Sequence, residues 1–520
     1  MEKKYIVSSK EMKRYDSVTI NHYGVPSLVL MERAALGVIE EIEKRFEPGS
    51  RALVVAGGGN NGGDGIAIGR VLKLRGYAVD FVLTGDKSKC SAETSKQLDI
   101  IEKYGCPVQS KIENKEYDII IDALFGIGLS RDVKGIYAQC IEAMNDLCGF
   151  VFAVDIPSGI SADTGEVMKT AVKADITVTF AYEKLGHVLY PGCEYCGEVV
   201  CKDIGITAES FLAEAPRIYS YADVYKSRIA ELMPERNRGG NKGTFGKVLV
   251  IAGSKNMSGA CELCARSAYR IGAGMVKVVT SEENREIIQK NLPEALLVTY
   301  AASEQETAGE AFAKDLEESV KWADCIVIGP GLGKSRISCR MLKYVIQESL
   351  KPLVIDADGL NILAESAEFQ EKLRSTGSKE GRQIIITPHI VEFARLYGCT
   401  PTDVKRDVFN KAKELAERLC CTVICKDART AVASYKENNI YLNTTGNDGM
   451  ATAGSGDVLA GIEGGLLAQG MDGREAAIAG VYIHGILGER AASETGRYAV
   501  IAGDLTEQLK YILSDEGKRR

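Results

Sequence analysis

Proline is scarce in this 520-residue chain, at 12 against 54 glycines. With 45% hydrophobic and 26% charged residues, that balance excludes fibrous and disordered chains and describes a soluble α/β protein, in which glycine marks tight strand-to-helix turns. No apolar stretch approaches the roughly 18 uninterrupted residues of a membrane span. The opening MEKKYIVSSKEMKR lacks the apolar core of a secretory signal, so a cytoplasmic protein without a membrane partner is expected. There is no dense Lys/Arg block and the net charge is -7. A general nucleic-acid or membrane-surface binder is thereby excluded, while a local site for a small anion is not. A disulfide framework is missing as well. The 15 cysteines are odd in number and scattered, which suits reduced thiols. Cys193/Cys196 and Cys261/Cys264 could give four thiolates to zinc, but they fall in different expected domains, and buried free cysteines are the preferred reading.

A chain this long exceeds one hydrophobic core, so at least two domains are expected. From Arg51 to Leu83 the sequence runs RALVVA, GGGNNGGDG, IAIGRVLKLRG, YAVDFVL, which is strand, glycine-rich turn, helix, strand. That is one parallel βαβ unit. The apolar runs YDIIIDALFG, FVFAVDIPSG and ADITVTFAYE recur at the same kind of spacing, giving a Rossmann-like doubly wound sheet with both faces covered. The pattern fades towards IAELMPERNRGGNKGTFG, and the boundary is placed around Tyr221, for expected domains 1–221 and 222–520. A second α/β series follows: KVLVIAG, GMVKVVT, ADCIVIGPGLG, KPLVIDADGLNIL, RQIIITPH, CTVICK and the glycine-rich helix start NDGMATAGSGDVLAGIEGG. No repeated spacing aligns the two series, so no internal duplication is inferred.

In the first domain, Asn60-Asn61-Gly62-Gly63-Asp64-Gly65 lies between a strand and a helix, where backbone N–H groups and the helix dipole favour a phosphate. An ordinary tight turn is the bland alternative, but the paired Asn and embedded Asp make this version more specific. The usual dinucleotide fingerprint is not matched, so a dehydrogenase is not preferred. Asp122 and Asp155 end successive strands, where carboxylates converge on the ligand crevice; turn or cap bonding is the alternative. With Asn61 and Ser158 they make an oxygen-rich set that suits an alkali or hard divalent cation better than zinc.

Over nearly the whole first domain the chain resembles the epimerase domain of the NAD(P)H-hydrate repair enzymes, through YGVPSLVLMERAA, GGGNNGGDG, DALFGIGLSRDVKG, AVDIPSGISADTG and PGCEYCGEVV. The resemblance implies a potassium site at Asn61, Asp122 and Ser158. It also implies that hydrated cofactor is held by Asn60, Asn61, Gly62, Gly63 and Asp64, by Gly126, Ile127, Gly128, Leu129, Ser130, Arg131 and Asp132, and by Asp155, the acid/base. Arg33 and Ala35 in MERAA stand where the family commonly has Asn and Gly.

In the second domain, Ala453-Gly454-Ser455-Gly456-Asp457 opens a helix. Backbone donors there can stabilise an anionic transition state while Asp457 deprotonates a hydroxyl; an Asp merely favourable to the dipole is the alternative. This turn resembles the ribokinase-like kinases. KGTFGKVLVIAGS, GAGMVKV, IGPGLG, VIDADGLNIL, TPHIVEF and KDART narrow the match to the hydrate dehydratase branch. The resemblance implies nucleotide contacts at Lys426, Asp427, Ala428, Arg429, Thr430 and Gly456, and hydrate contacts at Gly331, His389 and Asp457. Asp427 stands where the family usually has Gly, and its carboxylate would repel a polyphosphate. His389 could equally cap the next helix. Asp356 and Asp358 suit a turn as well as a magnesium or substrate site.

The resemblance thus implies bifunctional repair of hydrated NADH and NADPH. The first domain would interconvert the R and S hydrates. The second would dehydrate the S form with ADP, giving NAD(P)H, AMP and phosphate. Potassium is expected in the first domain and magnesium in the second, and the chain is expected to form a homo-oligomer. The rivals are a kinase for a vitamin or sugar alcohol, which the GxGD turn serves equally well, and a non-catalytic first domain.

Overall fold

The computed structural model describes residues 4–113, 115–206, 218–220, 232–301, 310–379 and 382–512. Tyr5–Ile218 form one compact unit, and Tyr219–Arg520 make up the bulk of a second.

In the first unit, the strands Val108–Gln109, Ala78–Leu83, Arg51–Ala56, Ile119–Ala123, Phe150–Val154, Ile176–Phe180 and Glu198–Lys202 lie side by side in that order, each pair parallel. The apolar runs are continuous because both faces are covered. Ala52, Val54, Ile119, Ile121 and Phe152 enter one core, and their neighbours Leu53, Val55, Ile120 and Val151 enter another, as the two-residue period of a strand dictates. The glycine-rich turn starts the helix Asn60–Leu74. Only glycine fits at Gly62, where a Cβ would lie 1.8 Å from the Gly57 carbonyl oxygen.

The second unit is larger. Parallel strands run in the order Leu296–Tyr300, Met275–Ser281, Lys247–Ile251, Cys325–Ile328, Leu353–Ile355, Ile384–Ile386 and Thr422–Cys425. Ala431–Ser434 and Ile440–Leu442 then continue antiparallel. The six apolar runs of this half all form strands; Leu296–Tyr300 and the antiparallel pair add to them. The helix Ser455–Ala468 carries the glycine-rich turn and is buried along most of its length. Cys196, Cys261 and Cys264 are buried free thiols and Cys193 is half-buried. Burial pushes the Cys261 thiol up to about 12, so these side chains pack as small apolar groups. Among the described residues, no helix is long and apolar enough to cross a membrane.

Candidate active sites

In the first unit a cavity of about 830 Å³ opens where the Arg51–Ala56, Ile119–Ala123 and Phe150–Val154 strands end. Asn60, Asn61, Asp64, Asp155 and every residue from Gly126 to Arg131 line it. Gly62 and Gly63 are buried in the first helical turn, and Asp132 is turned to Lys134 at 3.9 Å.

Behind the cavity wall, the Ser158 hydroxyl donates to Asp122 Oδ1 at 2.6 Å and the Ser158 N–H to Asp122 Oδ2 at 2.7 Å. The Phe125 N–H donates to Ser158 Oγ at 2.8 Å. Burial raises the Asp122 carboxyl to about 6 against the lowering effect of these bonds. Asn61 is different. Both polar atoms of its amide are buried without a partner among the described residues, and it flanks Gly126, whose Cβ would lie 3.4 Å from Asn61 Oδ1. A buried amide left open costs about 1–3 kcal/mol, and an alkali cation accepting its oxygen would remove part of that cost.

Asp155 follows its strand with φ at 69°, a conformation that side chains rarely adopt and that its surroundings must hold in place. Its N–H donates to the Val178 carbonyl at 2.8 Å, and its own carbonyl lies 2.8 Å from His187 Nε2. Lys184 Nζ, 1% exposed, donates to Asp155 Oδ1 at 2.5 Å, and Thr179 Oγ1 donates to the same oxygen at 2.9 Å. Burial alone would raise this carboxyl, but the Lys184 charge wins and holds it below the usual range. Motif reading missed Lys184, because a lysine in AYEKLGH looks like any solvated charge. It also missed Asp16, which lines the cavity from the helix Ser9–Asn21. Met12, Asp16 and Ile20, one turn apart, share the cavity face, and an acid in the middle of an apolar stripe was the available signal. Asp64 is raised well above the ordinary range by burial and by the charges of Asp155 and Asp16.

In the second unit, Gly454 has φ at 92° and precedes the helix Ser455–Ala468, with Asp457 in the first turn. A Cβ on Gly456 would lie 3.1 Å from Lys426 Nζ and 3.8 Å from Asp356 Oδ2, so all of these groups meet at the helix start. Lys426 Nζ donates to Asp356 Oδ1 at 2.7 Å, and the Thr387 hydroxyl donates to the same atom at 2.6 Å. Burial works against the Lys426 charge, but Asp356 and Glu392 outweigh it and raise its pKa. Burial, then Asp356, push the Asp457 carboxyl up to about 7 against the pull of Lys426, which suits a group that must accept a proton near neutrality. Asp356, which on sequence grounds suits a turn as well as a magnesium or substrate site, is therefore central here.

His389 caps the helix Ile390–Tyr397, its Nδ1 accepting the Val391 N–H at 3.1 Å and the Glu392 N–H at 3.4 Å. Gly331 is in the left-handed region with φ at 54°, and its carbonyl accepts the Ser254 N–H at 2.6 Å. The Asp427 side chain is exposed and takes the Ala428 N–H at 2.9 Å. Thr430 Oγ1 donates to the Asp427 carbonyl at 3.2 Å, and Arg429 Nη1 to the Thr444 carbonyl at 3.0 Å.

Comparison with known proteins separates the rivals. Residues 27–186 match the family described as YjeF-related protein N-terminus, and residues 248–511 match the family described as NAD(P)H-hydrate dehydratase. The chain is 34% identical to the bifunctional NAD(P)H-hydrate repair enzyme Nnr of Moorella thermoacetica, over 98% of this chain and 96% of that one. The chain belongs to this bifunctional family. The corresponding enzyme of Coxiella burnetii is 36% identical over 94% of this chain and 96% of its own length. Among solved structures, the ADP/ATP-dependent NAD(P)H-hydrate dehydratase of Bacillus subtilis is 28% identical over 56% of this chain and 97% of that chain, with a TM-score of 0.46. Both halves of the family are thus present in one chain, which disfavours a lone kinase fused to a binding module.

Proposed function

We propose that this chain repairs hydrated NADH and NADPH, its first unit interconverting the R and S hydrates and its second dehydrating the S hydrate with ADP. The observation that carries this reading is the family match of both halves, each on a unit with its own poised carboxyl.

In the first unit, Asp155 is the base that the Lys184 contact keeps ionised. The turn at Asn60–Asp64 and the loop from Gly126 to Asp132 hold the cofactor. Asn61, Asp122 and Ser158 hold potassium, which would supply a fixed positive charge to order substrate and water. The open Asn61 amide fits such an ion.

In the second unit, Asp457 takes the proton of the hydrate's hydroxyl as that oxygen attacks the β-phosphoryl group of ADP. The N–H groups of the Gly454–Gly456 turn face the developing charge. AMP leaves, and elimination of the new phosphate ester restores the ring double bond and releases phosphate. The nucleotide lies along Lys426–Thr430 and Gly456, and the hydrate against Gly331 and His389. Magnesium bound with the nucleotide would neutralise phosphate charge during the transfer. The chain works in the cytoplasm as a homo-oligomer, which sedimentation of the purified chain tests.

The decisive experiment incubates the chain with S-hydrated NADH and ADP and follows the absorbance of the reduced ring. ADP-dependent recovery is expected. No recovery, with phosphorylation of a vitamin or sugar alcohol instead, would overturn the assignment.

A further inference from the structure

The first cavity holds more carboxyl groups than a reaction through Asp155 alone requires. We propose that Asp16 is the second proton-transfer residue of the epimerisation, giving a proton to the departing hydroxyl of the hydrate while Asp155 serves the returning water. This inference rests on the epimerase reading above and adds a residue to it.

Asp16 reaches the cavity from the helix Ser9–Asn21, and Asp155 from the end of the Phe150–Val154 strand, so two separate elements bring the carboxyls to one cavity. The Asp16 carboxyl has no hydrogen-bond or ion-pair partner among the described residues, although it lies close enough to Lys184 and Asp155 to feel both charges. It is free to bond a ligand. The charged groups that line the same cavity are Lys13 on its own helix, Asp64 on the helix Asn60–Leu74, Lys89, Glu93, Arg131 and the Asp155–Lys184 pair. Burial first, with Asp155 acting against Lys184, holds the Asp16 carboxyl up at about 6, while Asp155 lies below the usual range. Two carboxyls whose surroundings push them apart in this way make an acid and a base. Asp64 is the weaker candidate. It is raised well above the ordinary range, so it releases a proton less readily near neutrality, and it sits one helical turn beyond Asn61.

The chemistry needs such a pair. Hydration places the hydroxyl on the ring carbon next to nitrogen, because the nitrogen lone pair stabilises a cation there. In the first step the Asp16 proton moves to the hydroxyl oxygen as the C–O bond breaks. The nitrogen lone pair becomes the second bond of C=N⁺, water departs, and Asp16 is left a carboxylate. In the second step a water adds to the other face of that carbon. The C=N⁺ pair returns to nitrogen and Asp155 takes the proton released. Atoms and charge balance, with one proton moved from Asp16 to Asp155, and its return through cavity water resets the site. The reverse epimerisation runs through the same two groups in the opposite sense.

The test uses the full chain without ADP, with R-hydrated NADH as probe and chromatographic separation of the epimers. Asp16→Asn is expected to lower kcat by about 10²-fold or more, with KM changed less than about 3-fold and dehydration of the S hydrate with ADP unchanged. The fall in wild-type kcat as pH rises through about 6 should vanish in Asp16→Asn. Asp16→Glu, which keeps an acid, should recover part of the rate. Unchanged kcat in Asp16→Asn overturns the proposal. So does a loss of hydrate affinity matching the loss of rate in both variants, because that marks a binding or structural role. A wild-type chain that dehydrates the S hydrate but never interconverts the epimers would instead overturn the epimerase reading itself, and this proposal with it.

Discussion

Glu463 offers a test that is independent of catalysis. It lies on the helix Ser455–Ala468, is 0% exposed, and neither carboxyl oxygen has a partner among the described residues. It faces Gly480 so closely that a Cβ there would be 2.0 Å from Oε1. Burial raises this carboxyl well above 4.5, so the folded chain holds it protonated where the unfolded chain ionises it. The sign follows from linkage. Stability is fully present below the unfolded value near 4.5 and falls as pH rises towards the folded value, by about 1.4 kcal/mol per pH unit. Glu463→Gln removes this titration while keeping the shape. Its stability relative to wild type should therefore climb by about 1.4 kcal/mol per unit above pH 5, for as long as the folded Glu stays protonated, or roughly 2–4 °C per kcal/mol in a domain of this size. Calorimetric melting of both proteins from pH 5 to 8 reads the difference. The buried Gln amide adds a constant offset, so the slope is the test; two parallel curves across that range would refute the reasoning.

Further outcomes follow from the same structure. Asp457→Asn should lower kcat of dehydration by about 10²-fold or more with hydrate affinity kept, and leave R/S interconversion unchanged, as separate assays of the two activities would show. Lys184→Met leaves a nearly buried carboxylate without its cation, at a cost of about 3–5 kcal/mol in the first unit. It should also raise the Asp155 pKa, moving the acid limb of the epimerisation profile to higher pH, because the lowering comes from Lys184. Asp427→Gly removes an exposed negative charge from the stretch proposed to hold the nucleotide and should lower KM for ADP severalfold at low salt, the gain shrinking as ionic strength rises.

The fold was legible because its strands are unbroken apolar runs, many of them followed by glycine, a signal that survives without tertiary information. The strands that escaped lack it. Leu296–Tyr300 sits at the end of its sheet with most of its residues partly exposed, and the hairpin strands Ala431–Ser434 and Ile440–Leu442 are apolar only in brief groups within the polar stretch TAVASYKENNIYLNTT. The site was legible where a glycine-rich turn meets a helix, because the backbone geometry restricts the residue types there. It was not legible where one side chain crosses from elsewhere in the sequence. Asp16 and Asp155 are far apart along the chain, and Lys184 is an unremarkable residue until its ammonium is found against Asp155. Asp356 was readable as a turn former, and only the Lys426 contact distinguishes it.

The two units reached a similar electrostatic solution on different sheets. In each, a largely buried lysine is bonded to one aspartate, Lys184 to Asp155 and Lys426 to Asp356. A second aspartate beside the pair is raised by burial and by the charge of the paired one, Asp16 to about 6 and Asp457 to about 7. In the first unit the Lys184 charge keeps Asp155 below the usual range, and in each unit the charge of the paired aspartate raises its neighbour against the pull of the lysine. In neither unit does a histidine side chain bond the paired carboxylate: His187 meets the Asp155 carbonyl and His389 caps a helix. In the proposed reactions the raised aspartate has different work in each unit: Asp16 begins with its proton and Asp457 must begin without one. Below about pH 7 Asp457 becomes protonated and loses its function as a base, whereas Asp16 retains its proton more fully. Lowering pH from 7.5 to 6 should therefore slow dehydration relative to epimerisation. A constant ratio of the two rates over that interval would mean that these carboxyls do not set them.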